Sequence, residues 1–161
     1  MSEFKIEFNF TEEQLKRCIP EYQGDYSELY DIFLEIFPKY RISAEERVAG
    51  FIEQFGYKTD CFKNLEPLLP TNDVMFSQFA TFIKMPYAEV NKYCNTLKGA
   101  IDSAGWFWNI KYLNHVVDNF DFKNLTERVN PGSDIKEREE CFHRMFNILR
   151  GESNEIHRKL L

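Results

Sequence analysis

Apolar side chains recur at every third or fourth position along most of this chain, which is the spacing of one buried face of an α-helix. The clearest stripes cover 29–37, 48–55 and 141–149. No segment alternates apolar and polar residues for long enough to form a sheet core. We therefore expect an all-α domain of seven to nine helices, with at most a short hairpin between Cys61 and Asp73. The predicted helices lie near 11–19, 26–37, 43–56, 76–83, 86–94, 96–108, 109–118, 122–129 and 135–149.

Local signals mark several of the helix ends. The residue types of a capping box, which begins a helix, occur at 11–14 and at 43–46. Pro38 interrupts the second stripe, and Gly56 is of the type that commonly ends a helix. The third helix is therefore expected to end near Gly56 and to carry residues 57–59 at its tip.

Length and composition indicate one compact domain. The 161 residues, 43% of them hydrophobic, suit a single core spanning 1–161, and the polar end at 150–161 is expected to fray. A net charge of −6 has the wrong sign for neutralising phosphates, which disfavours nucleic acid as a partner. No stretch approaches the ~20 apolar residues of a membrane-spanning helix. The first residues lack the pattern of a signal peptide, so we expect the chain in the cytoplasm.

The residues that usually carry metal or cofactor chemistry are scattered. The four cysteines form no C-x-x-C pair, so neither a zinc site nor a dense disulfide framework is indicated, and free thiols are expected. The histidines lack the spacing of metal ligands. With only seven glycines, the chain has no glycine-rich phosphate loop. We therefore expect no metal and no cofactor.

Two segments carry a resemblance to a known family. Residues 42–62, ISAEERVAGFIEQFGYKTDCF, resemble the signature of the family 19 glycoside hydrolases, which are chitinases and related phage endolysins. The pattern there is roughly I-x-T-x-x-R-x-A-x-F-L-A-Q-x-x-H-E-S-G-G-F. Residues 100–109, AIDSAGWFWN, with L-N at 113–114, D-F at 121–122 and LTERVNPG at 125–132, are similar to the family's S-A-G-W-F-W-N, L-N, D-F and I-T-R-x-I-N-G-G run. The resemblance covers nearly the whole chain, in order.

The resemblance implies a lysozyme-like, two-lobed helical fold, whose relatives hydrolyse β-1,4 bonds in chitin or peptidoglycan. Their chemistry needs one carboxylic acid to protonate the leaving oxygen and a second carboxylate to activate water. The Glu of H-E-S is the acid, and this chain has Lys58 there, with Tyr57 in place of the His. An ammonium can neither replace that acid nor stabilise a positively charged transition state.

Other positions of the family's cleft are also altered. The resemblance places the second carboxylate at Glu66, a remnant base without its acid. The family's cleft-lining segment, G-R-G-x-I-Q-L-T-G-x-x-N-Y, has no counterpart, because Asp73 leads directly into the next helical stripe. Glu127 replaces the Arg of I-T-R, and Pro131 replaces the first Gly of N-G-G, whereas Asn130 is kept.

These losses predict a catalytically inactive phage or prophage protein that uses the fold as a binding scaffold. The implied partner is another protein, either in a virion or tail assembly or as the target of a host-system inhibitor, with residual glycan as a further ligand. We expect binding at the remnant of the cleft, formed by Tyr57, Lys58, Asp60, Glu66 and Asn130. Closure of that surface, with contacts elsewhere, is an equally weighted alternative. The alternative function is an active or weakly active endolysin-type hydrolase, in which Asp60 or Glu66 replaces the lost acid.

The aromatic run Trp106-Phe107-Trp108 permits two interpretations. Aromatic rings stack on sugars, but these three residues lie within a predicted helical stripe. A helical stripe of rings is more often core than binding surface. We therefore expect at least part of the run to be buried.

Overall fold

The computed structural model of the protein describes residues 5–151, and this range contains nine α-helices, one short 3-10 helix and no strand. The prediction of an all-α fold with seven to nine helices is confirmed. In chain order the helices are α1 Glu12–Cys18, α2 Tyr26–Lys39, α3 Glu45–Lys58, α4 Asp73–Ile83, α5 Tyr87–Cys94, α6 Leu97–Ile110, α7 Leu113–Asp118, α8 Phe122–Val129 and α9 Ile135–Leu149. The 3-10 helix, Glu66–Leu68, lies in the segment between Cys61 and Asp73, where at most a short hairpin was expected.

Helix α3 forms the centre of the fold. It packs against α9, α7 and α8, while α2 packs against α6 and α1. Aromatic rings fill the space between α2, α3 and α6: Phe33 and Phe37 stack with ring centroids 4.5 Å apart, and the ring of Phe51 lies 5.5 Å from that of Trp108. Such buried rings contribute both apolar area and preferred ring geometry to stability. The buried centre fixes α3, and with it the residues at its C-terminal end.

Two predicted helix starts have different outcomes. At α1, Thr11 and Gln14 form the expected capping box, with each side chain accepting a hydrogen bond from the other residue's backbone N–H. At α3 the prediction is wrong by one residue, because the N-cap is Ala44 and no side chain caps the helix. Ser43 is buried, and its hydroxyl lies 3.5 Å from the carbonyl oxygen of Arg41 instead. Helix α3 therefore begins without a side-chain cap.

Three predicted helix ends also need correction. Pro38 lies inside the last turn of α2, which continues to Lys39. Gly56 does not end α3, which runs two residues further to Lys58. The predicted helix at 109–118 is divided, since Tyr112 takes a left-handed conformation with φ 54° between α6 and α7. The expected bounds of α8 and α9 match the structure.

Several other expectations concern the surface and the chain ends. Among residues 5–151, no helix combines the length and apolar character needed to cross a membrane. The four cysteines are free thiols, with Cys18 and Cys94 buried and the other two half-buried. Of the predicted tail at 150–161, only Arg150 and Gly151 belong to the described residues. The guanidinium of Arg150 lies 5.0 Å from the ring centroid of Phe146.

Candidate functional site

A left-handed turn follows the C-terminal end of α3. Asp60, Cys61 and Phe62 have φ values of 50°, 57° and 59°, so three consecutive residues with side chains occupy the region that glycine favours. Backbone hydrogen bonds close the turn, including one of 2.6 Å from the N–H of Cys61 to the carbonyl of Gly56. The chain thus reverses direction sharply after α3, at a cost in backbone strain.

Thr59 holds this turn together. Its side chain is fully buried, and its hydroxyl donates to the carbonyl of Phe55 at 2.6 Å. The same oxygen accepts a hydrogen bond from the N–H of Phe62 at 2.8 Å. One hydroxyl therefore links the last turn of α3 to the third left-handed residue.

Lys58 is the last residue of α3 and is half-buried. Its Nζ donates to the carbonyl oxygen of Val129, at the end of α8, over 3.0 Å. Burial lowers the pKa of this ammonium from its ordinary value. The lysine therefore fastens α3 to α8.

A cavity of about 230 Å³ opens beside Lys58, and we call it the Lys58 cavity. Its walls are mainly apolar and come from α3, the 3-10 helix, α4 and α6. The contributing apolar side chains include Phe55, Leu68, Met75, Trp106 and Phe107. The charged side chains among its described lining residues are Lys58 and Lys111, with no carboxylate. This composition does not suit the carboxylic acid and base of a glycoside hydrolase.

The five predicted site residues do not form one exposed cluster. Tyr57 is 50% exposed, and Asp60 and Glu66 are also exposed. Tyr57, Lys58 and Asn130 border a shared depression, whereas Glu66 lies on the 3-10 helix and is not among the described residues lining the Lys58 cavity. Asn130 is buried, so its amide serves the fold rather than an open surface.

The buried amide of Asn130 belongs to a small hydrogen-bond network. Its Nδ2 donates to the backbone carbonyl of Gln54 at 2.8 Å and to the side-chain Oε1 of Gln54 at 2.9 Å. Gln54 in turn donates to the hydroxyl of Thr126 at 3.0 Å. This network joins α3 to α8 and to the segment that follows α8.

Three other polar contacts connect different helices. The indole N–H of Trp108 donates to Asn114 at 2.7 Å. Arg47 on α3 forms an ion pair of 2.7 Å with Asp118 on α7. A further hydrogen bond, of 2.9 Å, runs from the hydroxyl of Ser103 to the carbonyl of Leu68. The first two contacts lie outside the Lys58 cavity, whereas Ser103 and Leu68 both line it.

A buried acid–base pair on the other side of α3 was missed by the sequence interpretation. Glu53 is 2% exposed, and its Oε1 lies 2.9 Å from Nη1 of Arg138 on α9. The contact lacks hydrogen-bond geometry, and neither Glu53 oxygen has a hydrogen-bond partner among the described residues. Burial raises the pKa of Glu53 to about 8, although Arg138 acts in the opposite direction. Glu53 stands inside an apolar stripe, so no sequence signal distinguished it from a surface charge.

Arg138 also touches the predicted site. Its guanidinium lies 3.6 Å from the ring centroid of Tyr57, a cation–π contact. Tyr57, Asp60, Glu53 and Arg138 all border a second cavity, of about 290 Å³, which we call the Glu53 cavity. The structure therefore divides the predicted cluster: Lys58 borders one cavity, Asp60 the other, with the end of α3 between them.

Asp102 is a second buried carboxylate that the sequence interpretation did not single out. It accepts hydrogen bonds from Nζ of Lys39 at 2.9 Å and from the hydroxyls of Tyr40 and Tyr93 at 2.5 and 2.7 Å. Burial, with the hydrogen bond to Asp102 as the next cause, raises the pKa of both tyrosines. These hydrogen bonds to the Asp102 carboxylate join α2, α5 and α6.

The aromatic run on α6 is mostly core. Trp108 is fully buried and Trp106 is 4% exposed, which confirms that at least part of the run belongs to the core. Phe107 is half-buried, and with Trp106 it lines the Lys58 cavity. The same two rings therefore serve as both core and cavity wall.

Comparisons with known proteins add no family to this description. No protein-family model, no curated protein and no solved structure matches the chain. Within residues 5–151, no group of three or more His, Cys, Asp or Glu side chains is placed to hold a metal ion.

Proposed function

We propose that this protein is a catalytically inactive, lysozyme-like scaffold that binds another protein. The observation that carries the proposal is Lys58: it occupies the position where the resemblance expects the acid, its Nζ is engaged by the Val129 carbonyl, and no carboxylate is among the described residues lining its cavity. Hydrolysis of a glycosidic bond by the family's chemistry requires two carboxyl groups around one cleft.

The left-handed turn supports the resemblance on which this proposal rests. Its first two residues, Asp60 and Cys61, stand at the two glycine positions of the family pattern H-E-S-G-G-F. Glycine is the residue type that such a backbone favours. Thr59, at the Ser position, supplies the hydroxyl that closes the turn. The backbone therefore has the form that the pattern's glycines would favour, although this chain no longer has them.

The retained motif residues support a role as a scaffold. Gln54, Thr126 and Asn130 belong to motif positions far apart in sequence, yet they share one buried hydrogen-bond network. Trp108 and Asn114 likewise bond to each other. The positions that still match the pattern are used to hold helices together, whereas the altered position Lys58 would have carried the chemistry. Such a division favours a fold kept for binding.

Tyr57 and the neighbouring exposed residues are the surface that we propose for the protein partner. Tyr57 is half-exposed, and the stacked guanidinium of Arg138 restricts its ring. Tyrosine held in one orientation is a frequent anchor in protein interfaces because it contributes a large area at a low entropy cost. Asp60, which borders the Glu53 cavity together with Tyr57, is also exposed. We propose a phage virion protein or a bacterial host protein as the partner, on the resemblance to endolysins.

A hydrolase with rearranged carboxylates is the competing function, and one observation favours it. Glu53 has a pKa raised to about 8, which keeps a carboxyl protonated at neutral pH as a general acid must be, and Asp60 borders the same Glu53 cavity. Glu53 is only 2% exposed and faces the guanidinium of Arg138, so a sugar oxygen cannot reach it without rearrangement. We therefore favour the scaffold.

Activity measurements with Lys58→Glu distinguish the two functions. We expect neither the natural protein nor the variant to clear outer-membrane-permeabilised cells at micromolar concentration or to cleave chitin oligomers. A restored acid alone could recover a large part of a general-acid contribution of about 10² to 10⁴. Without opposing carboxylates and a cleft to position the sugar, that contribution is not realised.

Lys63→Glu is the matched control, since it makes the same change of charge at an exposed neighbouring residue. Circular dichroism establishes that both variants remain helical. Lysis by the natural protein would overturn the proposal, and loss of that lysis in Glu53→Gln would assign the acid to Glu53. Strong lysis by Lys58→Glu alone would show that a functional cleft survives.

A further inference from the structure

The Lys58 cavity combines apolar walls with positive charge. We propose that it binds a small organic anion with a flat apolar body, of the class of aromatic carboxylates. This inference does not rest on the proposed function, because it concerns a small molecule rather than a protein partner and needs no relation to the endolysins.

The size of the cavity fits one small aromatic molecule. A cavity of about 150 Å³ lined by apolar side chains is large enough to bind benzene. The Lys58 cavity has about 230 Å³, which leaves room for a substituted or two-ring body. Two of its walls are the rings of Trp106 and Phe107, against which a flat body can stack.

The charge around the cavity selects an anion. Lys58 and Lys111 both line it, and none of its described lining residues is an Asp or Glu. The whole chain has a net charge of −6, so this cavity is a local reversal of the protein's charge. An anion placed here would interact with the half-buried ammonium of Lys58 in partly apolar surroundings, where such interactions are stronger than in water, and with the exposed ammonium of Lys111 at the rim.

Lys58 has hydrogen-bonding capacity to spare. An ammonium has three N–H donors, and among the described residues Lys58 uses one of them, toward the carbonyl of Val129. Half-burial disfavours its charged form and lowers its pKa. Lys58 lines both this cavity and the depression bordered by Val129, so a carboxylate in the cavity that reaches its Nζ would accept a remaining donor and would compensate the half-buried charge. Lys111, whose Nζ lies 5.9 Å from the ring centroid of Phe107, can approach the same carboxylate from the rim.

Binding of 2-naphthoate to the full chain, measured by titration calorimetry, tests this proposal. Its neutral amide, 2-naphthamide, has nearly the same shape and serves as the comparison. A hydrogen bond to a charged group changes affinity by about tenfold or more, so we expect naphthoate to bind at least about tenfold more tightly than naphthamide. Added salt should reduce the difference, because screening weakens the partly exposed ion pair.

Variants and tryptophan signals locate the binding. Lys58→Met should weaken naphthoate binding by about tenfold, and Lys111→Met, at an exposed residue, by up to about fivefold, in each case without changing naphthamide binding. Lys63→Met, an exposed lysine that is not part of the described lining, is the matched control and should leave both affinities unchanged. In nuclear magnetic resonance spectra the indole N–H of Trp106 should shift on binding, whereas that of Trp108, which bonds to Asn114, should move less.

Several results would overturn the proposal. The absence of naphthoate binding, or equal affinities for naphthoate and naphthamide, would show that the cavity does not select an anion. An equal loss in Lys63→Met would show an effect of overall charge alone. If Lys58→Met fails to fold, the comparison of the two ligands on the natural protein still decides the question. Hydrolytic activity is a separate readout. If naphthoate does not bind, the proposed scaffold function still stands, and if the protein proves to be a hydrolase, the proposed anion binding still stands.

Discussion

Replacing Asp60 with glycine should stabilise this protein. Asp60 begins a left-handed turn of three consecutive residues with positive φ. For a residue with a Cβ, the left-handed conformation costs about 1–2 kcal/mol, and Asp lies toward the lower end because its short polar side chain tolerates it better than most. Glycine removes the steric cause of this cost.

The expected gain follows from two opposing contributions. The side chain of Asp60 is exposed, so its removal loses little packing. Glycine also gains freedom in the unfolded chain, which lowers stability by about 0.4–1 kcal/mol. With about 1 kcal/mol of strain relieved at Asp60, the balance is a rise in the free energy of unfolding of up to about 0.6 kcal/mol. For a chain of this length, that corresponds to an increase in Tm of up to about 2 °C.

Urea unfolding followed by circular dichroism and by tryptophan fluorescence measures this change. Asp60→Ala is the first control: it removes the carboxylate but keeps the Cβ, so no gain is expected. Lys84→Gly is a positive control, because Lys84 is exposed and ends α4 with φ 57°. Lys63→Gly is a negative control at an exposed residue without positive φ, and it should lose stability.

The pattern across the four variants decides the question. If Asp60→Gly loses as much stability as Lys63→Gly while Lys84→Gly gains, the turn after α3 is not left-handed at Asp60. If Asp60→Ala gains as much as Asp60→Gly, the benefit comes from removing the carboxylate, and the strain argument is wrong.

Three further predictions concern other positions. Ala44→Ser should raise the free energy of unfolding by about 0.5–2 kcal/mol in urea titrations, because it supplies the side-chain cap that α3 lacks; no gain would place the start of α3 elsewhere. Asp102→Asn should lower the free energy of unfolding by about 3 kcal/mol, since the carboxylate accepts hydrogen bonds from one ammonium and two hydroxyls. A loss below about 1 kcal/mol would contradict that network. Glu53 favours its protonated form in the fold, so its contribution to stability is full below its ordinary pKa of 4.5 and is lost as the pH rises through about 8. Unfolding titrations at pH 5 to 8 should show this decline in the natural protein and not in Glu53→Gln; identical pH profiles would contradict it.

Sequence periodicity was sufficient for the elements whose stripes are uninterrupted. The bounds of α8 and α9 were predicted correctly, because their apolar residues and the polar residues that flank them indicate the same helix ends. The predicted helix ends were wrong where a contact with another part of the chain changed the local preference for ending a helix. Gly56 is of the type that commonly ends a helix, but α3 continues for two more residues, and the Thr59 hydroxyl that follows donates to the carbonyl of Phe55.

The candidate site was predicted only in part, for a related reason. Tyr57 and Lys58 at the tip of α3 follow directly from the stripe of that helix. Glu53 and Asp102 were missed, since each is one charge within an apolar helix face, and only the fold places Arg138 or Lys39 against it. The Lys58 cavity was equally invisible, because its walls come from residues more than fifty positions apart in the chain.

The sequence by itself determined the helical class of this protein, the bounds of α8 and α9 and the presence of a lysine at the tip of α3, because these depend on residues close together in the chain. The tertiary structure alone decided which polar residues are buried, that Asn130 bonds to Gln54 instead of facing solvent, and that Lys58 and Asp60 border different cavities. The physical reason is that burial and charge pairing are set by distances between helices, and a helix stripe specifies which face is buried but not which partner it meets.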